Sequence, residues 1–455
     1  MFKYIHSTIK SFLGGKKIKK KLGLLFSSTL SLILLAACSG GGEEASSEDF
    51  ASADDNTLTV WAWDTNFNIP IMEKAGEYYV QDGNEEFKIN VVEMSNEDTK
   101  QKLVSGFTSG VSEGLPDIVL MDDYDVQNYI TNYEGKFAEL SEDIDFSQFA
   151  EYKVDNATKN DGVYALPFDS GSAGLYYRTD YLEEAGYSQE DMQDLTWSEF
   201  VQIGKDVKEK TGKWFVAFIP NRGTHYIQMA MQSAGLWYFD ENGDIYLKDN
   251  PAVREMAEIL KQIEENELAK PVDYFAPEGI GAVTSGEVAA VNSAIWFSAT
   301  IRSAEDQAGK WAYTNVPQLE TVETATPYTN LGGASWVILE ESPNKDLAID
   351  FMKTEFAGND EFYQDILVEN GAVGTYLPSQ TEEAYQFEDP FFNDAPIYKD
   401  FSEWMAEIPG VDYGNNTQAA VDALRSVLQG YFDGSMTLDE MLEKAEETYT
   451  MQVGQ

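Results

Sequence analysis

The chain has 455 residues, 43% of them hydrophobic and 13% aromatic, enough for two to three ordinary domains or one large two-lobed unit. Asp and Glu total 79 against 31 Lys and Arg, a formal net charge of −48, which excludes nucleic-acid binding by phosphate neutralisation. One Cys and two His exclude an intrachain disulfide and a Cys-based zinc site and argue against a histidine metal cluster, so no metal and no cofactor are expected.

The charge is uneven. Residues 1–37 hold seven Lys and no acid, which leaves 24 basic and 79 acidic residues, a net of −55, in the rest of the chain. The apolar run from Leu22 to Leu35 is short for a membrane span of about 20 residues. A basic segment, a short apolar segment and then small residues make a secretory signal peptide over 1–37. The run closes in Leu35-Ala36-Ala37-Cys38, which resembles a bacterial lipobox, so Cys38 is expected to become the lipidated first residue of the mature protein. A thioether-linked diacylglycerol supplies two acyl chains, enough for stable anchoring where one chain binds reversibly. Residues 38–56 read as the lipidated Cys and a flexible acidic tether.

From Thr57 strands and helices alternate. Leu58-Thr-Val-Trp-Ala-Trp63 predicts a buried strand, with the loop Asp64-Thr-Asn-Phe-Asn68 after it. Asn68 is placed to cap a helix whose apolar face is Ile71, Met72, Ala75, Tyr78 and Tyr79. A strand over Phe87–Glu93, a helix opened by Ser95-Asn-Glu-Asp98 and a strand over Pro116–Met121 follow, the last ending in the loop Asp122-Asp123-Tyr124. Tyr164–Phe168, Ala173–Tyr177, Trp214–Phe218, Ala289–Trp296 and Ala334–Leu339 read as further strands. Thr196-Trp-Ser-Glu199 and Thr437-Leu-Asp-Glu440 are capping-box patterns, and Ala420, Val421, Leu424, Val427, Leu428 and Tyr431 mark a helical apolar stripe. This alternation predicts an α/β fold with mainly parallel sheet.

Ligands of open α/β sheets sit beyond the carboxyl ends of the strands. The loops Asp64–Phe67, Asp122–Tyr124 and Asp169–Ser172 can lie there, each pairing short polar side chains with a nearby aromatic ring. That mixture suits a sugar, whose hydroxyls need paired donors and acceptors while its C–H face packs on a ring.

In one order along the chain stand the lipobox, Leu58-Thr-Val-Trp-Ala-Trp-Asp64, Leu115-Pro-Asp-Ile-Val119, Tyr164-Ala-Leu-Pro167, Tyr177-Arg-Thr-Asp180, Thr196-Trp-Ser-Glu-Phe200 and Gly332-Gly-Ala-Ser-Trp336. The set resembles the family 1 extracellular solute-binding proteins, carbohydrate-binding lipoproteins of ABC importers similar to maltose-binding protein, over nearly all of residues 57–450. The resemblance implies a two-lobed periplasmic-binding-protein-like fold with the ligand cleft between lobes joined by crossover hinge segments. The lobes are expected at 57–168 plus 315–372 and at 169–314 plus 373–455, with crossings near Leu166–Ser172, Tyr313–Pro317 and Gly371–Pro378.

It also implies contacts from Trp63, Asp64 and Asn66 after the first strand, from Asp122, Asp123 and Tyr124 in the next loop, and from Asp169, Ser170 and Gly171 near the first crossing. Trp296 matches an aromatic stacking position, and Tyr413 and Asn415 fall in a C-terminal aromatic site region. The sequence departs from maltose-binding protein in places. Thr65 stands where a Lys would follow Asp64, and Gly171 falls at an acidic contact, with Asp169 near enough to replace it. Maltose specificity is therefore not carried over.

The expected protein is a monomeric receptor, not an enzyme, on the outer face of a Gram-positive cytoplasmic membrane. It would be held by its lipid anchor and would deliver an oligosaccharide to the permease subunits of an ABC importer. Two alternatives stand beside it. A secreted glycoside hydrolase needs two carboxyls flanking a bond, a pair that 79 acids always allow. A receptor for a polyamine or peptide suits an acid-lined cleft. Trp61, Trp336 and Asp117 are read as structural, and His225 as a surface or core residue that borders the cleft at most.

Overall fold

The computed structural model describes residues 54–65, 67–273 and 276–454. The signal peptide, Cys38, most of the tether and Asn66 lie outside the described residues. Apolar strand-forming runs build the first sheet. Lys88–Glu93, Thr57–Ala62 and Ile118–Asp122 pair in parallel, and Ala334–Ile338 and Leu166–Pro167 complete the order as antiparallel and edge members. Both faces of this sheet are covered. Leu58, Val60, Ile118, Leu120, Trp336 and Ile338 join one core with Phe351 and Phe356, and Trp61, Val119, Met121 and Val337 join another. Burial on both faces explains why these strands read as unbroken apolar runs. Trp61 and Trp336 are fully buried, as expected of core residues. Asp117 is buried too, where its carboxylate accepts from Thr59 N (2.7 Å) and Ser342 Oγ (2.5 Å).

The second sheet is antiparallel: Ala290–Ala294, Ala173–Arg178 and Trp311–Asn315 in that order. Ala289 and Ala290 donate backbone hydrogen bonds to Trp214 and Phe215, which ties in the parallel pair Val216–Ala217 and Ala269–Lys270. Its core gathers Trp197, Phe200, Phe215, Tyr226, Met256, Leu260 and the stripe of Thr417–Phe432.

The expectation of mainly parallel pairing holds only for three strands of the first sheet and the short pair Val216–Ala217 and Ala269–Lys270, and chain direction explains why. Ile118–Asp122 and Leu166–Pro167 run toward the junction between the sheets, whereas Ala334–Ile338 comes from it and must run the other way. In the second sheet Ala173–Arg178 leaves the junction and its two neighbours return to it.

Three segments pass between the lobes side by side. Asp169–Ser172 is bridged to Gly374 on one flank and to Asn330 on the other, with Ser170 N donating to Val373 O and Leu331 N to Gly171 O. The return passage thus lies at about residues 329–333 and not at 313–317. Trp311–Asn315 is still a strand of the second sheet, and Gln318 and Thr326 then donate to Leu195 and Ser233 of the same lobe.

Local signals decide the helix starts. Thr196 and Thr437 each form a complete capping box, and Ser95 Oγ accepts from Asp98 N. Asn68 does not cap its helix. Phe67 takes that position, Asn68 is the first residue of Asn68–Gln81, and its Oδ1 accepts instead from Trp63 N (3.2 Å) and Asp64 N (3.0 Å). The side chain folds the loop back over the strand end, so Trp63 leaves the alternation that buries Trp61.

Candidate functional site

Between the lobes, at the carboxyl ends of strands from both sheets, lies a cleft of about 1380 Å³, larger than the roughly 300–1,000 Å³ common for small-ligand sites. The first lobe contributes Trp63 and Asp64 after Thr57–Ala62, and Asp122 and Tyr124 at the end of Ile118–Asp122. Phe67, Phe168 and Asp169 complete that wall. Trp296 comes from the second lobe, just past Ala290–Ala294. Its ring is partly exposed, and its indole N–H donates to Leu331 O at 3.3 Å on the return passage.

Of the residues expected at the site, Trp63, Asp64, Asp122, Tyr124, Asp169 and Trp296 are brought together on this cleft. The others are placed elsewhere. Asp123 is 1% exposed and lies behind the wall, with one carboxylate oxygen 2.5 Å from Lys153 Nζ and the other accepting from Ser335 Oγ at 2.9 Å. Ser170 is buried beside the Tyr152 hydroxyl, and its Oγ accepts from Ser172 N. Gly171 lies in the packed crossing, where a Cβ would come within 2.6 Å of Leu331 O and Gly332 O. Tyr413 is 2% exposed. Its ring packs on Tyr124 and Trp237, and its hydroxyl donates to Gln232 Oε1 at 2.9 Å. Asn415 is exposed and does not line the cleft. Asn66 lies outside the described residues.

The second lobe supplies polar groups that sequence reasoning missed: Asn221, Arg222, Gln228, Arg425 and Gln429, with Phe218 beside them. Phe218 to Arg222 follow Val216–Ala217, so applying the strand-end rule to that strand would have found them. Arg425 and Gln429 are four residues apart on Thr417–Phe432, opposite its buried stripe, a spacing that puts them on one face. His225 also lines the cleft and packs edge-on to Phe218. Burial, and then the neighbouring Arg425 charge, push its pKa down to about 4, so it is neutral at physiological pH.

The two walls differ in character. The first lobe presents the carboxylates Asp64, Asp122 and Asp169, and the second presents two arginines, three amides and Asp273. Burial, reinforced chiefly by Asp125, raises the Asp122 carboxyl to about 7. The same side chain accepts from Tyr124 N at 3.0 Å and so caps Asp123–Asn132. Burial raises Asp169 to about 6 although Lys153 opposes it, and Asp169 Oδ1 accepts from Ala334 N at 2.7 Å. Among the described residues no group of three or more His, Cys, Asp or Glu could hold a metal ion.

Two sheets on separate cores, three hydrogen-bonded crossings and a polar, aromatic cleft between them define a two-lobed solute receptor. The chain belongs to the bacterial extracellular solute-binding proteins, whose family model matches residues 74–425. It is 44% identical over 396 residues to a lactose-binding protein of Rhizobium radiobacter, covering 87% of this chain and 93% of that one. Over 209 residues it is 27% identical to an arabinooligosaccharide-binding protein of Halalkalibacterium halodurans, which is 45% of this chain and 46% of the relative. Its fold is similar to that of the GacH receptor of Streptomyces glaucescens, solved unliganded and with acarbose. The TM-score is 0.71 at 16% identity, over 88% of this chain and 98% of the receptor.

Proposed function

We propose that this chain is the lipid-anchored receptor of an ABC importer, capturing an oligosaccharide and handing it to the permease after its lobes close about the three crossings. The observation that carries this reading is the cleft itself. Trp63, Phe67 and Tyr124 on one lobe face Phe218 and Trp296 on the other, with Asp64 and Asp122 set against Asn221, Arg425 and Gln429. Rings for the sugar face and both acceptors and donors for its hydroxyls then come from opposite walls. The lactose- and arabinooligosaccharide-binding relatives support a sugar of two or more units, as does the cleft volume. Arg222 and Arg425 stand beside four aspartates, Asp64, Asp122, Asp169 and Asp273, on the lining, so a polyamine is kept as a probe in the test. Cys38, outside the described residues, would carry the anchor on the outer face of a Gram-positive membrane, and the receptor would act as a monomer.

Thermal shift and calorimetry on the full chain, with lactose, an arabinooligosaccharide and spermidine as probes, test this. A ligand that binds the native state must raise the melting temperature. A shift with a sugar and none with spermidine is expected. No shift with any sugar and a clear shift with spermidine overturns the sugar reading. Chromatography of the sugar after incubation tests the hydrolase alternative, and its recovery intact is expected.

A further inference from the structure

We propose that Lys153 is the positioning residue of the hinge, fixing the first-lobe wall of the cleft to the two crossings that flank it. The inference rests on the receptor reading and concerns how its cleft is held, not which sugar fills it.

Lys153 sits on the short helix Glu151–Asn156 and is 1% exposed. A buried ammonium needs three acceptors, one for each proton. Here they come from three separate segments: Asp123 Oδ2 at 2.5 Å, Asp169 O at 3.0 Å and Ala334 O at 2.9 Å. Asp123 opens the helix whose neighbouring residues Asp122 and Tyr124 face the cleft. Asp169 belongs to the first crossing, and Ala334 ends the return crossing. Further bonds close the same knot. Asp123 N donates to Gly333 O, Ser335 Oγ to Asp123 Oδ1, Ala334 N to Asp169 Oδ1 and Asn156 Nδ2 to Asp123 O at 2.7 Å. Gly333 has φ +97°, and a Cβ there would lie 2.6 Å from Asp123 Oδ2, so the crossing is as close to the carboxylate as glycine allows.

The arrangement ties ligand-facing Asp122, Tyr124 and Asp169 to the segments about which the lobes must turn. Lys153 does not itself line the cleft; it reaches the wall through Asp169 and Ala334, which do. A buried ion pair is a weak source of net stability, whereas its directional bonds fix one arrangement of the chain. Rotation of the lobes therefore takes place outside this knot, and the first-lobe wall keeps its geometry whether the cleft is open or closed.

The test uses the full chain and compares Lys153→Met with Lys153→Met/Asp123→Asn. The single change strands a buried carboxylate and endangers folding; the double change removes both charges together. Hydrogen exchange at Asp123, Asp169–Ser172 and Thr329–Ala334 is read with the melting temperature and the Kd for lactose. The folded double variant is expected to exchange at least tenfold faster at these amides alone and to bind lactose at least tenfold more weakly. Unchanged exchange there with a Kd within twofold of the parent overturns the proposal, as does faster exchange spread evenly over both lobes. Should neither Lys153 variant fold, Ser335→Ala, which removes one neutral bond to Asp123, must show the same localised exchange in smaller measure, and its absence counts against the proposal. If the parent ignores lactose, the Kd comparison is made with the arabinooligosaccharide; if it ignores both sugars and binds spermidine, the sugar reading fails, while the exchange comparison still decides the role of Lys153.

Discussion

Trp296 and Asp122 line the cleft, and on the proposed reading they would supply the two kinds of contact that a sugar requires. Trp296 offers a partly exposed ring whose indole N–H is committed to Leu331 O, so a ligand would meet the ring and not the N–H. Trp296→Ala is expected to weaken sugar binding about tenfold, or about 1.4 kcal/mol, with the melting temperature kept within about 1 °C, roughly the effect of 1 kcal/mol in a chain this long. Calorimetry beside a thermal melt checks both; a large fall in melting temperature with intact affinity would assign the ring to packing. Asp122 ionises only as the pH rises through about 7. If its carboxylate accepts from a sugar hydroxyl, affinity falls as pH drops below 7, by at most about tenfold per unit, and Asp122→Asn flattens that profile. A titration of Kd between pH 5.5 and 8 in both proteins decides it.

At the scale of elements, the return crossing is a tightly constrained stretch of backbone. Gly332 and Gly333 have φ of +78° and +97°, and Gly333→Ala adds a Cβ against the Asp123 carboxylate. It should cost about 1–3 kcal/mol, measured by denaturant melts. Thr437→Ala, which breaks a capping box on an exposed helix start, should cost only about 1 kcal/mol and leave ligand binding alone. These elements also show what was legible in the sequence. Capping boxes at Thr196 and Thr437 could be read because their partners are three residues away. The strand-end positions of Trp63 and Asp122 could be read because a strand announces its own end. Asp123, Ser170 and Tyr413 could not be placed, because what buries them is distant. Asp123 meets Ser335 across 212 residues and Tyr413 meets Gln232 across 181. The antiparallel pairings were hidden for the same reason, since strand direction follows from which way the chain crosses the hinge.

Over the whole molecule the acidic excess and the buried carboxyls act in one direction with pH. Burial raises Asp122 to about 7, Asp169 to about 6 and Glu355 to about 7, well above the usual carboxylate range. A carboxyl that holds its proton more tightly in the fold than in the unfolded chain stabilises the fold below its unfolded pKa. That contribution is lost as pH rises through the folded value. The net charge of −48 adds self-repulsion that also grows with pH. Calorimetric melting should therefore give a higher melting temperature at pH 5 than at pH 8, and the reverse order would show that ion pairs such as Arg302–Asp389 and Lys74–Asp365 outweigh these groups.

The strand Ala334–Ile338, placed in the middle of the first sheet, bears on the birth of the molecule. Asp122 waits for Ala334, 212 positions later, before the strand Ile118–Asp122 has its second neighbour. Until then one side of that strand is an open row of amide and carbonyl groups. The first lobe, although begun first, is finished only after the larger part of the second has been made, and such distant pairing is slow. The first sheet therefore lacks one of its interior strands for most of the chain's synthesis, and what delays its closure is the order of the sequence and not the strength of its core.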